Sequence, residues 1–337
     1  MRKWGLSLLV ILLAVGCTST VKAPVSGVTT VDSIEYLTEE KASLTSVFTG
    51  KTVYGKTYQA IGIMFENTPM ARPQTGISLA DVVYEIAVES WQISRFIGIF
   101  SSTFPTKVGP VRSARFPFVR VAREWGIAFA HFGAGESGLG NVIPLILSTP
   151  WPARFDGYTG VNGQFFSRDS ARVAPHNAYF NSRDALVKIP KIEVANHFLF
   201  DKTTFYESKP ITTLKLGYSY DNNITYTYLS AEHRYARSIN NSPMMDAYTN
   251  KQVKTTNIII QHAPHYAVER VSYIIVDFEG SGVAEYFIDG SYVKGTWKKP
   301  IEAQPTKWYD DKGQEMKFLP GNTWIQVVHP NIPIVMN

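Results

Sequence analysis

The sequence predicts an α+β protein in two parts: an N-terminal α/β-type domain, then a mostly antiparallel β domain. Three observations carry this reading. Before about residue 200, compact apolar runs flank a cation-bearing stretch at helical spacing, a strand–helix–strand order. Beyond residue 210, short runs rich in β-branched and aromatic residues alternate with turn signals. Hydrophobic residues at 45% can bury a core, and aromatics at 13%, with 18 Tyr and 7 Trp, weight it towards β structure or stacking surfaces.

The N-terminus carries a targeting signal. Met1-Arg2-Lys3 is a basic start, Trp4 to Val15 is apolar, and Ala14-Val15-Gly16 leads into Cys17, the single cysteine. This resembles a bacterial lipoprotein signal peptide over residues 1–16, with Cys17 as the acylated residue of the mature chain. The apolar run falls short of the ~20 residues a membrane span needs. Residues 17–46 read as a flexible tether, 47–200 as the N-terminal domain and 201–337 as the C-terminal domain, with the boundary between Pro190 and Pro210. One cysteine excludes an internal disulfide. The net charge of +5 suits an envelope protein near anionic polymers, and no lysine-rich tract interleaved with aromatics points to nucleic acid.

Ala60 to Phe65 reads as a buried strand, and Ser78 as a cap for a short helix around Leu79-Ala80-Asp81. Asp81 to Glu89 and Ser94 to Ser101 read as a hairpin. Alternation places Val83, Glu85, Ala87 and Glu89 on one face, with Val82, Tyr84, Ile86 and Val88 on the other. Pro110 to Arg115 opens a helix in which Phe118, Val121, Ala122 and Trp125 form the inner stripe. Arg120, Arg123 and Glu124 lie on the wetter side, and Gly126 ends it. Ile127 to Phe132 is a strand, Gly138 to Ser148 a second helix, Trp151 to Ser167 a loop, and Asn181 precedes a capped turn of helix. In the second half, Asp289-Gly290 between alternating runs is a strong hairpin signal.

Candidate chemistry concentrates in Lys107 to Glu136, where Arg112, Ser113, Arg115, Arg120 and Arg123 precede His131 and a glycine-rich turn. Guanidinium groups suit carboxylates and phosphates, and a helix start at Arg112-Ser113 would add free N–H groups. Internal ion pairs with Asp81, Glu85, Glu89 and Asp169 are the competing reading. Glu85 and Glu89, four apart on a strand, stand about 13 Å apart, too far for a glycosidase pair. His131 and His176 are base, ligand or structural candidates. His262 and His265, split by Pro264, make no zinc pattern. No HExxH, G-x-S-x-G, P-loop or dinucleotide fingerprint occurs. No metal and no cofactor is expected.

Several blocks resemble the YerB-like bacterial lipoproteins, a family with two parts of unknown function. They are ARPQTGIS (Ala71 to Ser78), DVVYE (Asp81 to Glu85) and VGPVRSAR (Val108 to Arg115). With them go Arg168-Asp169, Arg172, Pro175-His176-Asn177 and the C-terminal GTWKK, PTKWYDDKGQE and PGNTWIQVV. The likeness spans about Tyr58 to Val328. It implies that Arg72, Arg112, Arg115, His131, His176 and Asn177 belong to the family signature. It also implies a membrane-anchored protein on the extracytoplasmic face of Gram-positive-type bacteria. Glu66-Asn67-Thr68-Pro69 departs from the family pattern, where a histidine often accompanies the asparagine. The resemblance implies no established activity.

Together these readings predict an anchored lipoprotein, held to the membrane by lipid on Cys17, that binds an anionic cell-wall polymer or an envelope protein. Its cleft is expected to use Arg72, Glu85, Arg95, Arg112, Ser113, Arg115, His131, Arg172, His176 and Asn177. Two alternatives stay open. One is an envelope hydrolase using Glu85 or Glu136 with His131 or His176; the other is a scaffold lipoprotein docking through its β domain.

Overall fold

The computed structural model describes residues 44–203, 206, 210–268 and 273–337. Cys17, the signal segment and most of the expected tether lie outside them. The body begins by Leu44–Thr45, which pairs with Thr52–Val53, and Phe48 is fully buried against Trp125. The last residues of the stretch read as tether therefore already join the fold.

The principal elements are β1 (Ile61–Glu66), β2 (Val82–Glu89), β3 (Ile93–Phe100), α1 (Phe116–Trp125), β4 (Ala128–His131) and β5 (Arg154–Asp156). They continue with β6 (Thr213–Ser219), β7 (Asn222–Leu229), β8 (Arg234–Ile239), β9 (Asn257–His262), β10 (His265–Val268) and β11 (Tyr273–Val276). The last are β12 (Gly280–Ile288), β13 (Ser291–Lys299), β14 (Lys307–Asp310) and β15 (Thr323–Val328).

A 12-stranded mixed sheet runs β14-β13-β12-β9-β15-β2-β3-β1-β4-β5, with β10 and β11 attached beside β2. Both halves of the chain build it. Its middle is a parallel seam in which β15 lies between β9 and β2, so that Glu85 faces Gln326 and Tyr84 faces Ile325. Strands β1, β9 and β15 are buried along their whole length, as strands covered on both faces must be. The molecule is thus mostly strand with few helices. The expected α/β character of the N-terminal part is not clearly present: its strands β1, β2 and β3 pair antiparallel, and α1 is its longest helix, at 10 residues.

The period-2 pattern of β2 sets the layers. Tyr84 points to α1, where the Trp125 indole N–H donates to its hydroxyl at 3.1 Å. Glu85 points the other way, to the smaller sheet formed by β6, β7 and β8. That sheet is held over β2 and β15 by the Tyr218 hydroxyl, which donates to the carbonyls of Glu85 (2.8 Å) and Val327 (3.0 Å). The Gln326 amide reaches the Tyr226 hydroxyl at 2.9 Å. Small sheet, large sheet and helix are three layers, and the core fills the two spaces between them.

Local chemistry explains the boundaries. The turn at Asp289-Gly290 has φ of 51° and 76°, the left-handed pair that a two-residue hairpin with matching twist requires. Gly126 ends α1 at φ 63°, its N–H capping the carbonyls of Ala122 and Arg123. The helix opens at Phe116 rather than Pro110, with Pro117 in its first turn, where the missing N–H costs nothing. Residues 111–115 stay extended because their backbone is already paired. Val111 N–H donates to Ala178 O (2.7 Å) and Ala114 N–H to Gly133 O (2.9 Å). Ser78 does not cap a helix; it sits inside a 3-10 turn, Ile77–Leu79. Glu124, expected on the wet side of α1, is buried: Lys299 donates to it at 2.7 Å and Thr306 N–H at 2.7 Å. Arg120 and Arg123 do face outward, to Glu302 at 3.5 and 3.2 Å.

Candidate functional site

Three carboxylates organise the cations, and they differ in how fully their partners satisfy them. Glu85 is fully sealed. Its Oε2 accepts from Arg237 Nη2 at 2.6 Å, with both side chains at 0% exposure. Its Oε1 accepts from Ser94 (2.6 Å), Asn222 (2.9 Å) and Asn67 (3.1 Å). Arg237 lies against the rings of Phe96, Tyr226 and Trp324 and donates to the Tyr226 hydroxyl. Every strong donor and acceptor of this pair is used internally.

Glu89, at the end of β2, binds Arg95 at 3.0 Å and Arg115 through both its Nε and Nη2. Burial alone would raise the Glu89 pKa, but Arg95, Arg115 and then Arg112 outweigh it, so the carboxyl sits below its usual range. Arg95 spends its other Nη on the Ser113 carbonyl at 2.8 Å. Burial lowers its pKa, Arg115 adds to that, and Glu89 opposes it. Arg115 also stacks over Tyr273 at 5.3 Å.

Glu66, at the end of β1, is the least saturated. It accepts from Thr68 (3.1 Å) and meets His176 Nδ1 at 2.9 Å, while Arg112 Nε stands 3.5 Å away. That last contact is long for a hydrogen bond, and the Arg112 side chain keeps 29% exposure.

Arg112 opens on a cleft of about 360 Å³. Extended residues 111–113 form one wall and residues 132–134 the other, tied by Phe132 N–H to Arg112 O (3.1 Å) and Ser113 Oγ to Phe132 O (3.1 Å). Phe132 and Tyr158 supply aromatic surface, Arg168 a second cation and Glu136 one acid. Arg168 lies over the Phe132 ring at 4.7 Å and is steered by Asn177, whose Oδ1 accepts from it at 2.6 Å.

His131 is under the cleft, not in it. It is fully buried, with Nδ1 against Gly133 O at 2.8 Å and Asp156 at 3.8 Å. Burial lowers its pKa despite Asp156, so it is neutral and serves the turn at Gly133. Asp156 completes that turn by accepting from Gly133 N–H (3.1 Å), Tyr158 N–H (3.0 Å) and the Thr159 hydroxyl (2.6 Å).

Of the ten positions singled out from sequence, Arg112 and Ser113 line this cleft, and Asn177 orients Arg168 at it. His176 shares Glu66 with Arg112. Arg95 and Arg115 close on Glu89 beside it, whereas Glu85 is sealed with Arg237. Arg172 clamps the Ala71 and Pro73 carbonyls at 3.0 and 2.9 Å, and Arg72 lies on a separate groove. Sequence reasoning missed Glu66, Phe132 and Tyr158 as parts of the arrangement, and named Arg168 among the arginines without placing it in the cleft. An acid closing the apolar run of β1 was a usable signal for Glu66. Arg237 carried none, since it lies 152 residues from Glu85.

A strand-rich body of two sequence parts, holding a cationic cleft on extended segments, is the class these features define. The chain belongs to the YerB-like lipoprotein family. Residues 48–194 match the N-terminal domain, and residues 214–325 the C-terminal domain, of DUF3048, a protein of unknown function. The chain is 29% identical over 302 residues to "Putative lipoprotein YerB" of Bacillus subtilis (strain 168), covering 86% of each chain. It also matches the crystal structure of YerB protein from Bacillus subtilis with a TM-score of 0.74 and 28% identity, over 87% of this chain and all of that one. The similarity is therefore to a lipoprotein of unknown function. Among the described residues no helix is long and apolar enough to cross a membrane.

Proposed function

We propose that this protein is a lipoprotein anchored through Cys17 on the extracytoplasmic face of the membrane, and that the Arg112 cleft binds an anionic envelope ligand. One observation supports this above others. Arg112 is only loosely held by Glu66 and faces a cavity that carries a second cation, Arg168, within the size range of small-molecule sites. A phosphate or carboxylate has two guanidinium groups to meet, and Phe132 and Tyr158 offer faces for a sugar or apolar portion. Glycerol phosphate polymer, titrated calorimetrically, is expected to bind with an affinity that falls as salt rises. The double variant R112Q/R168Q should weaken it by about tenfold or more, the loss of at least one charge-assisted contact. Equal affinity of variant and wild type sinks this reading.

The hydrolase reading retains one favourable feature, the carboxylate of Glu66 against His176 Nδ1, which fixes the ring as a base-orienting acid does. If that pair acts on the wall, purified peptidoglycan should yield soluble products with wild type and none with H176Q. No products with wild type would remove it.

A further inference from the structure

Arg72 stands apart from the other cations. Its donors go to Asn67 Oδ1 (3.2 Å), Asn67 O (2.8 Å), Asp221 O (3.0 Å) and Asn222 Oδ1 (3.4 Å), all neutral oxygens. Among the described residues no carboxylate forms an ion pair with it. Burial and the charge of Arg237 lower its pKa, and the charges of Glu85 and Asp221 oppose them only in part, so an anion arriving beside it would stabilise the cation further.

Arg72 lines a groove of about 350 Å³ whose other walls, Gln74 and Ser242 apart, are apolar: Pro73, Ile239, Pro243, Met244 and Met245. Ile239 and Met244 are buried, while Met245 is 40% exposed at the mouth. Methionine adapts its shape to flexible chains. An extended peptide is poorly served here. The adjoining edge strand is two residues long, Ser242–Pro243, and Pro243 has no N–H to give a pairing strand. The volume lies at the small end of ligand cavities, enough for one chain and not two.

We propose that the groove binds a single-chain anionic amphiphile, with its carboxylate or phosphate head on Arg72 and its alkyl chain along Ile239, Met244 and Met245. The site is separate from the Arg112 cleft and does not depend on what that cleft binds.

Isothermal titration of the protein with dodecanoate, with dodecyl phosphate and with uncharged dodecanol tests this. Saturable one-to-one binding of at least one anion is expected, with dodecanol weaker by about tenfold, the scale of one lost charged contact. R72Q and M245E should each weaken the anion by a similar factor, and R112Q/R168Q should leave it unchanged. R72Q removes bonds that hold Asn67 and Asn222, so M245E, at an exposed position that forms no hydrogen bond through its side chain, decides the matter if R72Q does not fold. Absence of saturable binding, dodecanol binding as tightly as the anions, normal binding by M245E, or loss in R112Q/R168Q each overturns the assignment. Which of the two anions binds tighter identifies the head group.

Discussion

Glu85 with Arg237 and Glu66 with Arg112 are the same pair of chemical groups in two settings. In the first, both side chains are at 0% exposure and stand 2.6 Å apart, and two amides, two hydroxyls, the Met244 sulfur and three aromatic rings surround them. In the second, the separation is 3.5 Å and the arginine is 29% exposed beside a cavity. In an arginine-rich protein, function is to be sought at the cation that is not fully satisfied. Desolvation makes a sealed pair indispensable to the fold and inert towards ligands, while a loosely held cation contributes little to stability and stays available.

The largest expected effect breaks the sealed member. Arg237→Met leaves the Glu85 carboxylate buried without its counter-charge, and should cost about 3–5 kcal/mol in denaturant unfolding. E85Q/R237M should be less destabilised than the sum of its single variants, because neither charge is then stranded. Additive losses would show that the two halves are not coupled through this pair.

Histidines repeat the contrast. His197 is buried, stacked on Trp125 at 3.6 Å, and burial lowers its pKa to about 4 despite Glu124. His176 keeps 20% exposure. Because the folded-state value of His197 lies below the unfolded one, its neutral form favours the fold above pH ~6.5, and that contribution is lost as pH falls towards 4. The loss is on the order of 3 kcal/mol by pH 4. H197F should flatten the stability profile between pH 6.5 and 4, measured by urea unfolding at each pH. An unaltered slope would assign the acid sensitivity to other groups. Glu89 is intermediate: E89Q strands Arg95 and Arg115 and should cost about 1–3 kcal/mol, less than the sealed pair because water reaches this carboxylate.

How much of this was legible in the sequence depends on the range of the interaction. The Asp289-Gly290 turn, the Gly126 cap, the strand of Ile61 to Phe65 and the two-faced pattern of Val82 to Glu89 are local, and composition plus period identifies them. The parallel seam of β2, β15 and β9 is not local. Nothing near Glu85 announces that Gln326 will lie beside it, or that Arg237 will cross from the second sheet to neutralise it. For the same reason Glu124 read as a solvated residue of a helix face, since Lys299 lies 175 residues away. The cation-rich stretch after Gly109 was visible, but its conformation was not. Pairing of residues 111–114 with Ala178 and Gly133 overrode the helix start that the composition suggested, and so turned Arg112 and Ser113 towards a cleft.

The smallest stability effect falls at the open pair, and it separates the two settings most sharply. Arg112→Gln removes a guanidinium whose contact with the buried Glu66 is long and makes no hydrogen bond, so unfolding should shift by less than about 1 kcal/mol. Glu66 keeps Thr68 and His176 as partners in that variant. Binding of an anionic polymer should nonetheless fall, because the lost charge is the one facing the cavity. A variant that is stable and binding-deficient fits an available cation. A variant as unstable as Arg237→Met would mean that Arg112 too is part of the frame, and the contrast between the two pairs would fail.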